Sequence, residues 1–416
     1  MKKPTVAILH YTGLPVIGGV EIVIDEHARF FLNAGYDVTL ITGKGGNTLS
    51  KAKSVVIPEI SAKGGPISGT LRSLHQGDVP DSFPRVVKRV EKKLAAALRG
   101  VEVCMIHNVM TMHFNLVLTA ALANIAKRKK TTRFIAWTHD LTFADPIYEP
   151  HQHRRYPWSI LLQPVENMDY CVISAQRNRD ARKLFRVPAS SLPVIPDGIN
   201  VPRQLRLSPS VAALYEQEKL ATCDIIAITP ARILRRKNLG VGMEIVASLK
   251  KYGNSVRWII TGAPDPHNPE SMKYFRLLKK LRVRLKVQKE VVFLCERFDH
   301  PVENRDLRSL YRVSDMLLFP SDREGFGLPV LEAGLSNLLT VLSDIPALRE
   351  LASKEAVFIH LGDSSDEVAK KILAALGNRM QYEYRKHVMA HYSWDIVFKN
   401  HVEPAVLHPR KVWEKK

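Results

Sequence analysis

Short apolar runs that alternate with amphipathic stretches constrain this chain more than any other feature. TVAILHY, YDVTLITG, VEVCMIHN, RFIAWTHD, DYCVISA and LPVIPDG read as strands in the first half. DIIAITP, VRWIITGA, VVFLCERF, DMLLFPS, LLTVLSD and AVFIHLG do so in the second. Between them lie segments of helical period such as VEIVIDEHARFFLNAG, where Gly35 is placed to end a helix. Alternation of this kind builds βα units around a parallel sheet. The rhythm occurs twice, with a polar join near 200–220 that includes VPRQLRLSPS. Two doubly wound, Rossmann-like α/β sheets in tandem are therefore expected, facing each other across a cleft. Such sheets bind ligands at the carboxyl ends of their strands. The Gly-, Ser- and Pro-rich stretch from about 44 to 83 breaks the rhythm and reads as a long excursion or mobile loop.

Composition narrows the class of function. With 416 residues, 45% hydrophobic and 25% charged, the chain can fill two large globular cores. No apolar run approaches the roughly 18 residues of a membrane span, and the first residues lack a secretory pattern, so a cytoplasmic protein is expected. Cys104, Cys171, Cys223 and Cys295 are far apart, which suits small buried side chains rather than a zinc site or disulfide framework. The net charge is +20, and the run KYFRLLKKLRVRLKVQK at 273–289 holds eight Lys or Arg and no acid. That excess favours an anionic partner, either acidic lipid at the inner face of a membrane or a phosphorylated acceptor. Aromatic residues are only 7% of the chain and no basic–aromatic motif occurs, which argues against nucleic acid.

Three loops after strands carry chemistry. In TGLPVIGGVE, Gly18 and Gly19 precede a helix whose first N–H groups would suit a phosphate, although the spacing is not that of a dinucleotide fingerprint. In TPARILRRKNLG, Arg232 and Lys237 stand at a strand–helix transition where two cations would neutralise a diphosphate. Asn238 is expected to cap the helix, with Arg235 and Arg236 as solvated neighbours. In DREGFGLPVLEAG, Glu324 and Glu332 bracket a Gly-Phe-Gly-Leu-Pro elbow. Gly325 and Gly327 allow close backbone approach, Pro329 suits a first helical turn, and the N–H groups near 326–330 would make an anion cradle. Glu332 is expected within that first turn. Carboxylates on both sides of a phosphate cradle match an extended ligand with hydroxyls at both ends, as in a nucleotide sugar.

The paired glutamates around GFGLP, with GGVE, PARILRRKN, VIPDGIN and YSWDIVF, resemble the family 4 retaining glycosyltransferases of GT-B fold. The resemblance runs over nearly the whole chain and is most specific from about 192 to 395. It implies a first domain over 1–203, a nucleotide-sugar domain over 204–390, and a final helix over 391–416 that packs back on the first. It also implies residue roles: Glu332 on the ribose, Glu324 on the donor sugar, and backbone at Phe326, Gly327 and Leu328 on sugar and phosphate. Arg232 and Lys237 would clamp the diphosphate, Gly18 and Gly19 would close on it, and His139 would face the sugar. Asp197 departs from the asparagine more usual in the family. No Asp-x-Asp pair ends a strand in the donor half, so no metal is expected. The nucleoside-diphosphate sugar would enter as substrate, with no cofactor. Base contacts are expected around Glu296–Phe298. Rival readings are a synthase acting on a small soluble acceptor and a catalytically dead nucleotide-sugar sensor.

Overall fold

The computed structural model describes residues 3–16, 18–46, 49, 51–265, 267–352, 354, 356–360 and 362–408. The chain divides into two compact units. One comprises residues 1–198 with 394–416, the other residues 199–393. Of the final segment, residues 409–416 lie outside the described residues.

The first unit is a six-stranded parallel sheet. Its strands are β1 (Val6–Thr12), β2 (Val38–Lys44), β3 (Lys53–Val56), β4 (Val103–His107), β5 (Arg133–Thr138) and β6 (Met168–Val172). They lie in the order β3-β2-β1-β4-β5-β6. β1, β2 and β4 are buried along almost their whole length, as strands covered on both faces must be. One core forms between the sheet and the helices Phe83–Ala97 and Leu116–Arg128. The other face packs on the helix Gly19–Asn33 and on residues 394–406. There Phe398 stacks on Phe30 at 5.3 Å, and Tyr36 donates to Glu403 at 2.9 Å.

The second unit repeats the plan with β7 (Ile225–Thr229), β8 (Val256–Ile260), β9 (Val291–Phe293), β10 (Met316–Phe319), β11 (Leu339–Ser343) and β12 (Val357–Ile359). Their order is β12-β11-β10-β7-β8-β9, again all parallel. Both sheets therefore reverse direction between their first and fourth strands, β1 against β4 and β7 against β10. At such a switch the two connections leave toward opposite faces and open a crevice at the carboxyl ends.

Two expectations need correcting. LPVIPDG is no sheet strand: it touches β6 through a single bridge between Val194 and Val172, because Pro193 and Pro196 have no N–H to continue a ladder. The stretch 44–83 is not simply a loop either. It contains β3, which extends the sheet beside β2, two 3₁₀ turns and the helix Ser68–His75. β3 is a half-polar edge strand that begins with Lys53, so no apolar alternation announces it.

What fastens this stretch to the sheet is a close approach at the end of β2. A Cβ on Gly43 would overlap the Ser61 amide. Gly43→Ala is accordingly expected to destabilise the first unit by about 1–3 kcal/mol through overpacking. Urea denaturation would register this, and unchanged stability would show that the segment yields freely.

Candidate functional site

In the second unit the candidate residues gather in the loops that follow β7 and β10, the two strands at the switch. A Cβ on Gly262, after β8, would overlap the backbone of Ala231 and Arg232, so only glycine lets that loop support the one after β7. Arg232 is exposed there. Lys237 ends the 3₁₀ turn Arg235–Lys237 and is buried, its ammonium bonded to the Glu324 carboxylate and 4.7 Å from the centre of the Phe319 ring.

The two loops are stitched together by further bonds. The Asp322 N–H donates to the Arg236 carbonyl at 2.8 Å, and the Asn238 amide donates to Asp322 at 2.9 Å. Arg236 donates to the Arg323 carbonyl at 3.1 Å and stands 3.5 Å from Glu324. Arg236 is thus a partner of Glu324 and no mere solvated neighbour. Asn238 does occupy the cap position of the helix Leu239–Lys251, in a left-handed conformation, but its side chain makes no capping bond. It is turned to Asp322 instead.

Burial holds the Lys237 pKa below its ordinary value, while the bond to Glu324 pulls the other way. Both side chains are only 9% exposed. The pair is a pre-formed charge site: a cation kept dry and aimed before any ligand arrives.

Gly327, at φ 100°, begins the helix Leu328–Leu335, with Pro329 in its first turn as expected. Phe326 and Leu328 flank it, both more than half exposed. The Val330 N–H bonds back to the Gly327 carbonyl at 2.9 Å and so is withdrawn from the expected cradle. Glu332 lies four residues beyond Leu328, past the first turn, where its carboxylate accepts from the Tyr311 hydroxyl at 2.6 Å. Burial and the Glu332 charge both raise the Tyr311 pKa. The two residues border a cavity of about 560 Å³ with Arg308, Arg312 and Leu335. Nothing local in the sequence marks Tyr311, which reaches Glu332 from the helix Asn304–Val313. Glu296, expected near a base, is held by Arg282 at 2.7 Å.

The first unit holds Gly18, Gly19 and His139. Gly18 caps the helix Gly19–Asn33 in an extended conformation. A Cβ there would overlap the Glu21 carboxylate, which accepts from Thr12 and lies 3.9 Å from His10. The helix's own acid thus lies beside the expected phosphate seat. His139 follows β5 and is buried, with Nε2 3.1 Å from His107 Nδ1 and Nδ1 3.6 Å from Asp197. Its carbonyl accepts from Arg177 at 3.0 Å. His107 went unmarked, although VEVCMIHN and RFIAWTHD each place a histidine at or just past a strand end.

Among the described residues, no group of three or more His, Cys, Asp or Glu is arranged to hold a metal ion. Three cysteines are buried, and burial pushes the Cys104 thiol up to about 12, whereas Cys295 is exposed, against expectation.

Glu324→Gln tests the charge site. Losing the carboxylate would leave a buried ammonium with a weaker acceptor, at an expected cost of about 1–3 kcal/mol at pH 7. Without Glu324 the burial that lowers the Lys237 pKa acts unopposed, so the folded variant sheds its proton at lower pH than folded wild type while the unfolded chain, ordinary near 10.5, still holds it. The variant's deficit should therefore shrink as pH rises toward 10.5. A deficit that is flat with pH would remove Lys237 as its cause.

The family described as Glycosyl transferases group 1 matches residues 213–390, and Glycosyltransferase Family 4 matches residues 17–203. The O-antigen chain mannosyltransferase RfbU of Salmonella typhimurium is 34% identical over 90 residues, 22% of this chain and 24% of that one. The serotype-specific mannosyltransferase WbdA of Escherichia coli is 32% identical over 96 residues, 23% of this chain and 11% of that one. This chain thus spans about a quarter or less of those relatives' length. The mannosylglucosylglycerate synthase of Thermotoga maritima is 20% identical over 377 residues, 86% of this chain and 85% of that one.

Proposed function

We propose that this chain, which belongs to the group 1 and family 4 glycosyltransferases, moves a hexose from a nucleoside-diphosphate sugar to its acceptor with retention of anomeric configuration. The observation that carries this reading is the buried Lys237–Glu324 pair at the β7/β10 switch, with Arg232 exposed nearby in sequence and Glu332 one helical turn from Gly327. A diphosphate placed there meets Arg232 and shares Lys237 with Glu324, and cations so placed lower the barrier for its departure as negative charge develops. These cations take the part that a metal ion plays elsewhere. Glu332, steadied by Tyr311, keeps lone pairs for ribose hydroxyls beside the cavity. No cofactor enters the scheme.

Retention needs a carboxylate nucleophile or same-face attack on an oxocarbenium-like sugar. Glu324 is held between Lys237 and Arg236, whose contacts engage both of its oxygens and make it a poor nucleophile. The pairing supports same-face attack, in which the leaving diphosphate accepts the proton of the acceptor hydroxyl. The mannosyltransferase names among the relatives make a mannosyl donor the first to try.

The experiment is product analysis by NMR with α-linked sugar donors of uridine, guanosine and adenosine diphosphate. An α-linked product is expected, and Lys237→Ala should lower turnover by about 100-fold or more. A β-linked product would overturn the retaining assignment together with these residue roles.

The acceptor is read as anionic or membrane-bound, which would place the enzyme in the cytoplasm at the inner face of a membrane. Among the described residues no helix is long and apolar enough to cross one. The helix Pro269–Arg284 supports surface attachment: Lys273, Arg276, Leu277, Lys280, Val283 and Arg284 recur at helical spacing and are all exposed. Each cation near an acidic bilayer contributes about 1 kcal/mol. Sedimentation with anionic vesicles at low salt should pellet the protein, and Lys280→Glu with Arg284→Glu should reduce it. Equal pelleting with neutral lipid would end the charge-based attachment, and no pelleting at all would favour a soluble acceptor, the reading that the likeness to mannosylglucosylglycerate synthase supports.

A further inference from the structure

Beneath the loop after β5 lies a row of ionisable side chains of which only His139 was expected at the site. Its Nε2 is 3.1 Å from His107 Nδ1, and its Nδ1 is 3.6 Å from Asp197 Oδ2. His107 is fully buried, with its ring nearly parallel to that of Trp137 at 5.6 Å. Its carbonyl accepts from His10 Nδ1 at 2.8 Å. Among the described residues His107 Nε2 and Asp197 Oδ1 have no hydrogen-bond partner.

With both rings carrying a single proton, these contacts leave one consistent set of protons. A separation of 3.6 Å is too long for a formed hydrogen bond, yet close enough for the carboxylate to decide which imidazole nitrogen is protonated. A lone pair on His139 Nδ1 would face Oδ2 and be repelled, whereas an N–H is attracted. With the proton on Nδ1, Nε2 of the neutral ring is an acceptor, so the proton in the 3.1 Å contact must come from His107 Nδ1. Burial keeps His107 neutral, so it has one proton to give, and that proton is now used. Its Nε2 is left as a bare acceptor, consistent with the lack of a partner there. In the opposite assignment His139 Nε2–H would donate to His107 Nδ1, which would put the one proton of neutral His107 on Nε2 as a buried N–H without a partner and set a His139 lone pair against Asp197.

We propose that Asp197 is a positioning residue that holds His139 in the Nδ1–H tautomer and, with His107, fixes the plane of its ring. That role needs a carboxylate at position 197 rather than a side-chain amide. An asparagine amide offers either an N–H or a carbonyl oxygen to Nδ1 and so leaves both tautomers open. The carboxylate offers only acceptors. His139 so held has no N–H to spare and presents a fixed ring rather than a proton.

The test is a two-bond proton–nitrogen correlation spectrum of the full chain labelled with ¹⁵N-histidine, with His139 identified by its loss in His139→Gln. Wild type is expected to show His139 protonated at Nδ1 and bare at Nε2. Asp197→Asn should shift a measurable fraction to the Nε2–H form with the melting temperature unchanged. A wild-type Nε2–H ring, or identical His139 signals in the two proteins, would overturn the proposal. Should Asp197→Asn fail to fold, the wild-type tautomer alone decides. The consequence for catalysis rests on the transferase reading: Asp197→Asn should slow turnover about tenfold with donor KM kept. Unchanged turnover beside a shifted tautomer would overturn the positioning role, whereas the absence of any transferase activity leaves the spectroscopic result intact.

Discussion

Everything proposed for the second unit depends on the reversal of strand order between β7 and β10. Parallel strands joined by right-handed crossovers must send their connections to opposite faces on the two sides of that point. The loops after the two strands therefore diverge and leave polar backbone at a crevice that the helices do not cover. The strands themselves are buried and, apart from Thr229 at the end of β7, apolar. Charged groups can only stand where the strands end, which is where Arg232, Lys237 and Glu324 are found.

The same geometry explains why the charges come as a pair. A lysine as buried as Lys237 would be strongly unfavourable alone, and Glu324 offsets that cost from the neighbouring loop. The bonds of Asp322 to Arg236 and Asn238 hold the two loops in register, so that the pair is met at short range. A site so arranged is already neutral within itself. An entering anion must share Lys237 with Glu324, while Arg232, exposed and in no ion pair among the described residues, is the cation at hand.

The first unit uses the equivalent places differently. The helix start at Gly18 is matched by the chain's own Glu21, an acid favoured there by the helix dipole. The histidines at the ends of β4 and β5 face inward to each other and to Asp197. Burial depresses the pKa of His10 to about 4 and that of His27 to about 3, which keeps these two rings neutral even though the chain is strongly basic.

What the sequence determined by itself was whatever depends on neighbours along the chain. Of the twelve strands among the described residues, eleven stand out as short apolar runs, and the doubled rhythm with its join near 200 follows from counting them. Gly327, Pro329 and the loop positions of Arg232, Lys237, Glu324 and His139 were legible because turn chemistry and strand ends are local. The edge strand β3 was not, since Lys53–Val56 has no apolar alternation and is a strand only because β2 supplies its hydrogen bonds. Nor were the partners of the candidate residues legible. Glu324 meets Lys237 across 87 positions of chain, His139 meets His107 across 32, and Tyr311 meets Glu332 across 21. Such pairings are fixed by which strands lie side by side and by the low dielectric around them. Tertiary structure alone decided that Asn238 would bond Asp322 instead of capping its helix, because a local hydrogen bond yields when packing brings a charged acceptor closer.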